Sequence, residues 1–181
     1  MTMKLIQKIE IGASGTSALE FTSIPQSYTH LYVLFSGRMS RAGNTASILG
    51  LRINGDTGTN YSWRILNGNS SSVASYSSTG TSLASAGYVT GPSAVANAFS
   101  THAIYIYDYT GSSYKSISAE SVQGNNTTDG LLNLSAGQYN SGSAVTSISF
   151  AELSGGTNLV QYTSAYLYGI TAGSDGITAV S

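Results

Sequence analysis

The chain has 181 residues, 41% of them hydrophobic but only 8% charged, with a net charge of −1 and no cysteine. That is enough apolar material for a core, with far less charge than the roughly 25% of ordinary globular domains, and it is not the composition of a disordered chain. Disulfides and thiolate metal sites are excluded, and the seven scattered cations form no basic patch for nucleic acid.

A surface this poor in charge gives little like-charge repulsion between copies, which suits a protein that works in an assembly. The N-terminal stretch "MTMKLIQKIEIGASG" lacks the continuous apolar run of a signal peptide. No later stretch is apolar for long enough to span a bilayer. The expectation is synthesis in a cytoplasm without a secretory address, and no membrane partner.

In chain order, alternation with a period of two recurs almost throughout. Strands are predicted over 4–11 and 18–22. In "HLYVLFSGR", Leu31, Val33 and Phe35 oppose His30, Tyr32 and Arg38. In "ILGLRIN", Leu49, Leu51 and Ile53 oppose Arg52, and a further strand is predicted over 61–66. The stretch 67–98 is rich in Ser and Gly and reads as an extended excursion with one or two weak strands, including 84–89. "THAIYIYDYT" sets Ile104 and Ile106 against Tyr105, Tyr107 and Tyr109. Strands at 115–122 and 130–134 follow, then "VTSISFAEL" and "SAYLYGI".

Turn chemistries separate these runs, among them "RAGN", "NGDTG", "YTGSS" and "QGNNTTDG". No window carries a convincing amphipathic helix. The pattern predicts an all-β chain: one antiparallel β-sandwich domain over residues 1–181, with jelly roll the preferred topology. Residues 1–15 read either as an N-terminal arm or as the first strand.

"LRINGDTGTNYSWRILNG" poses the clearest local question. A calcium loop needs several carboxylates, and Asp56 is the only one from 51 to 68. Asn54-Gly55 is a strong hairpin-turn signal, so the stretch is read as the tip of a hairpin.

His30 and His102 lack the spaced acids that a catalytic triad or zinc site requires, and each is read as a strand-edge or interface histidine. The eight acids follow no motif. The fold could bring Asp108 near Glu120, with Lys115 then expected in a salt bridge. No catalytic, metal or cofactor site is expected.

The thirteen tyrosines are more informative, because tyrosine combines a flat apolar face with a hydroxyl and is enriched at interfaces. The row Tyr105, Tyr107, Tyr109 reads as an inter-subunit surface, a glycan platform with Trp63, or a second packing layer.

The series "SIPQSYTHLYVLFSGR", "LRINGDTGTNYSWRILNG", "AIYIYDYT" with "YKSISAES", "AVTSISFAEL" and "SAYLYGI" resembles a family of bacteriophage virion proteins, including those of marine and cyanobacterial phages. The likeness runs from Ile24 to Ile170. It implies a jelly-roll β-sandwich that works as an oligomer, often a trimer, on the outer surface of the virion. The implied role is capsid decoration (cement), with the major capsid protein or other virion proteins as partners. The alternative is a tail-fibre or head-fibre module that binds host glycans, with Trp63 and exposed tyrosines lining a groove. The resemblance transfers no catalytic residue.

Overall fold

The computed structural model describes residues 2–124 and 130–171, a range that leaves out most of the "QGNNTTDG" turn. Twelve strands and no helix lie among the described residues. The strands are β1 (Thr2–Glu10), β2 (Leu19–Phe21), β3 (His30–Gly37), β4 (Ala46–Ile53), β5 (Tyr61–Gly68) and β6 (Val73–Thr81). They continue with β7 (Ala84–Thr90), β8 (Ser100–Ile106), β9 (Lys115–Gln123), β10 (Leu131–Tyr139), β11 (Ile148–Glu152) and β12 (Ser164–Thr171).

They form two antiparallel sheets, an eight-stranded one in the order β1-β12-β3-β8-β9-β10-β5-β6 and a four-stranded one in the order β2-β11-β4-β7. The chain is an antiparallel β-sandwich. Its core is the layer the alternation predicts. Leu31, Val33, Phe35, Ile104 and Ile106 from the large sheet meet Leu49, Leu51, Ile53, Ile148 and Phe150 from the small one, all buried. Phe35 and Phe150 touch across the layer with ring centroids 5.5 Å apart.

Residues 2–10 form a strand rather than an arm. β1 pairs with β12 along its length, from Thr2 opposite Thr171 to Glu10 opposite Ser164. The excursion 67–98 also holds more order than its composition suggests. β6 is nine residues long, and β7 is almost wholly buried.

The Asn54-Gly55 turn forms as read, but it is not the tip of a hairpin. Asn54 and Gly55 have φ of 53° and 66°, and the Asp56 amide donates to the Ile53 carbonyl at 3.0 Å. Both central residues therefore sit where a type I′ turn requires them. The strands it joins, however, lie in different sheets, β4 in the small and β5 in the large. The turn swings the chain across the core. Tyr61 then closes the arch, its hydroxyl donating to the Ile53 carbonyl (3.1 Å) and accepting from the Ile53 amide (3.0 Å).

The small sheet covers only part of the large one. β7, its outer strand, packs on β8, β9, β10 and β5, so β1 at one end and β6 at the other overhang. Close packing under β7 needs small residues. A Cβ on Gly137 would stand 3.1 Å from the Ala84 Cβ, and one on Gly87, whose φ is +95°, would stand 2.3 Å from the Ser121 Oγ.

The edge of β7 that has no strand beside it is met by side chains from the sheet beneath. His102 on β8 bonds the Ala86 carbonyl through Nδ1 at 2.8 Å. The Ser121 hydroxyl on β9 accepts from the Tyr88 amide at 3.1 Å. Ser135 on β10 donates to the Ser85 carbonyl at 2.9 Å. One residue from each of three successive strands thus replaces a missing ladder, which answers the cost of burying unpaired backbone groups.

Candidate interaction face

The outward face of the large sheet is built of side chains in lateral rows, because antiparallel partners point the same way. The registers give the middle row as Lys8, Tyr166, Leu34, Ala103, Glu120, Leu134, Leu66 and Ser75 across the eight strands. Beside it runs Tyr168, Tyr32, Tyr105, Ser118, Ala136, Arg64 and Ser77. On the other flank, Thr101, Val122, Leu132, Gly68 and Val73 follow one another in the same manner.

These rows hold two apolar areas. Tyr168, Tyr32, Tyr105, Tyr166 and Leu34 make one, over β12, β3 and β8. Val122, Leu132, Leu134, Leu66 and Val73 make the other, over β9, β10, β5 and β6, and each of its members is about half exposed or more. Charge is sparse and balanced: Glu120 and Arg64 lie within the rows, and Lys8 pairs with Glu10 at 3.4 Å on the margin. Burial raises the Tyr105 phenol above its ordinary pKa.

The second area inverts the usual polarity of a strand. On β10, Leu132 and Leu134 face solvent while Asn133 and Ser135 are buried, and on β9 Val122 is out while Ser121 and Gln123 are in. A one-residue shift would have reversed every one of these. The shift does not occur because the inner face must present polar groups to β7, as Ser121 and Ser135 do. The leucines are left outside as contiguous apolar surface.

The residues singled out from the sequence are not brought together. Tyr105 lies on the outer face of β8, opposite Tyr32. Tyr107 lies beyond the strand end and stacks on His30 with centroids 4.4 Å apart. Tyr109 is fully buried, and its hydroxyl bonds the Pro25 carbonyl. The predicted row along β8 therefore fails. Asp108, with φ of 44°, turns the chain at the strand end and sends Tyr109 into the core. The tyrosine row that does exist runs across the strands, from Tyr168 through Tyr32 to Tyr105.

Trp63 lies three strands from Tyr105 and on the opposite side of the sheet, the side that also carries buried Tyr61 and Ile65. It is half-buried, and its indole nitrogen has no hydrogen-bond partner. Trp63 and Tyr105 line no common groove.

The histidines are not edge groups. His102 is fully buried, its Nε2 2.9 Å from the Ser100 hydroxyl, and desolvation pushes its pKa down to about 4. Ser100 is equally buried, so no substrate reaches this Ser–His pair. His30 accepts a hydrogen bond from the Asp108 amide through Nδ1 at 3.0 Å.

Nor does Lys115 form the expected salt bridge. It is buried, and its ammonium donates to the Gly111 carbonyl and to that of Ser113 (2.6 Å). Burial lowers its pKa, with Asp108 opposing. Glu120 sits opposite Ala103, away from Asp108 and on the outer face.

Asp56 is committed to its own loop and to the end of β10. It accepts from the Gly58 amide (2.7 Å), the Asn60 amide group (2.8 Å) and the Tyr139 hydroxyl (2.9 Å). The Asn60 bond leads the causes that hold its carboxyl below the ordinary range. Among the described residues no three His, Asp or Glu side chains gather to hold a metal ion. Asp129 and Asp175 lie outside the described residues.

No family model matches the chain, and no curated protein matches it either.

Proposed function

We propose that this chain is a non-enzymatic virion structural protein, a capsid decoration (cement) protein that docks through the outer face of its large sheet. The observation that carries the reading is the inverted patch of Leu66, Val122, Leu132 and Leu134, apolar side chains held in register on a face with balanced, sparse charge. Such a face loses little by desolvation when it meets a protein, and the contact resists salt. An interface of ordinary size, about 1,600 Å² in total, fits on a sheet of this breadth.

The jelly-roll assignment is part of this reading. The orders β1-β12-β3-β8 and β2-β11-β4-β7 support it, because they follow the alternate pairing of two Greek keys. In that scheme β5–β6 and β9–β10 are insertions that extend one sheet and carry the apolar patch. A jelly roll of this kind acts as a homo-oligomer on the outer surface of the phage particle, against the major capsid protein or another virion protein. The glycan-binding alternative finds no groove shared by Trp63 and Tyr105, which point to opposite sides of the sheet.

The test is an electron-microscopy map of intact particles together with particle binding by Leu66→Asp and Leu134→Asp. The expected result is many copies per head, with the outer face covered and both variants released. A chain found only at the tail tip, or variants that bind unchanged, would refute the assignment.

A further inference from the structure

Two open sheets leave four edges, and this molecule treats them differently. The edge of β7 is taken up by His102, Ser121 and Ser135. β2 is three residues long. β1 carries Lys4, Lys8 and Glu10, and its register shifts between Leu5 and Gln7. β6 is nine residues long, without charge or proline, and none of its residues is buried. Its one irregularity lies at the far end, opposite Tyr61 and Ser62. Proteins blunt exposed edges with charge, proline, bulges or brevity, and an edge without them is a template for another strand.

We propose that β6 is where a second copy of this chain joins, antiparallel, about a two-fold axis perpendicular to the sheet and centred on Tyr76 or Ser77. The two large sheets then become one. A copy is the occupant that the strand's own chemistry favours. With no charge on β6, the two-fold brings no like charges together. Centred on Ser77 it sets Ser75 against Thr79 and Ser77 against its own copy, and centred on Tyr76 it sets Ser75 against Ser77, hydroxyl pairs that are favourable across strands.

The other side of β6 carries Tyr76, left 51% exposed because the small sheet ends at β7. The axis places it opposite or diagonal to the Tyr76 of the second copy, where the two rings cover each other. Both outer faces point the same way, so the leucine patches of the pair lie side by side. This inference stands apart from the virion reading, since it concerns the purified chain alone and replaces the trimer of the family resemblance with a two-fold pair.

The chain has no cysteine, so single cysteines placed along β6 report on the pairing directly. Strands paired about the axis bring equivalent Cα atoms within disulfide range at the centre and nowhere else. Oxidation of Ser75→Cys, Tyr76→Cys, Ser77→Cys and Ser78→Cys is expected to give covalent dimer that peaks at Tyr76 or Ser77. Ser118→Cys, exposed on β9, is expected to stay at background. Sedimentation should show a dimer, and Ser75→Lys/Ser77→Lys should raise its Kd about tenfold or more, by opposing like charges. The lysine variant's melting temperature checks that it is folded. A monomer at the highest soluble concentration, a trimeric mass, uniform cross-linking that includes Ser118→Cys, or a dimer indifferent to the lysines would each overturn the proposal.

Discussion

The imidazole of His102 bonds the main-chain carbonyl of Ala86, 2.8 Å from Nδ1, and so joins the two sheets at the buried edge of β7. Ala86 and Gly87 lie where the β4–β7 register shifts between Ile48 and Gly50, so this carbonyl belongs to a bulge. The ring has Phe35 edge-on at 5.2 Å and Ser100 at its other nitrogen. No carboxylate bonds it, so the Ala86 carbonyl offsets only part of the cost of charging it.

Stability should therefore fall in mild acid. With its pKa at about 4, folded His102 takes up a proton only well below the pH at which the unfolded chain does, near 6.5. Its contribution is complete above about pH 6.5, declines as pH falls to about 4, and changes no further below; the difference is about 3 kcal/mol. Urea unfolding from pH 4 to 7, for the parent chain and His102→Gln, measures it. Equal pH slopes would show that the ring plays no such part.

Gly87→Ala should be among the costliest single-methyl additions. The new Cβ meets the Ser121 hydroxyl at 2.3 Å on a backbone of φ +95°, and that hydroxyl is held by the Tyr88 amide. A loss of about 3 kcal/mol is expected, against about 1 kcal/mol for Gly55→Ala, where φ is positive but the space is open. Thermal melts of the two variants make the comparison.

Arg38 binds a loop to the sandwich. Its guanidinium donates to the carbonyls of Val95 and Ala98 from Nη1 and of Pro92 and Ala94 from Nη2, all within 3.2 Å. Arg38→Met should free residues 92–98 for proteolysis and cost on the order of 3 kcal/mol. Limited proteolysis with mass-mapped cleavage sites reads the first effect. An uncut loop would contradict it.

Asp56 supports an arch through its amide and hydroxyl partners. Asp56→Ala should lower stability by about 1 kcal/mol, through the amide and hydroxyl partners it abandons. Calcium or a chelator should leave the melting temperature of the parent chain where it was. Its carboxyl is held below the ordinary range, so this contribution is present above about pH 4 and lost as pH falls further. A calcium-dependent rise in melting temperature would restore the loop as an ion site.

Leu134→Asp should behave as a surface change in the isolated chain, within about 0.5 kcal/mol of the parent. Its effect should appear only when the outer face is covered. A large loss of stability in isolation would mean that the leucine has packing partners the outward register does not provide.

Alternation marked most of the strands and, over most of those, their faces, but it left β6 unplaced. Leu31, Val33 and Phe35, like Ile104 and Ile106, are buried as their spacing requires, because a pleated strand puts every second residue on one side. Which sheet a strand joins is a different matter. Asn54-Gly55 specifies a turn through the φ values it tolerates, yet whether the next strand pairs with the last depends on contacts far along the chain, here β4 with β11 and β5 with β10. Tyr109 was misplaced for a related reason, since the alternation of 101–110 carries no mark of where Asp108 breaks the strand. Only the tertiary structure decided that Leu132 and Leu134 face outward. The small sheet stops at β7, the buried edge of β7 must be met by hydroxyls and an imidazole, and those polar groups occupy the inner positions that the leucines would otherwise fill.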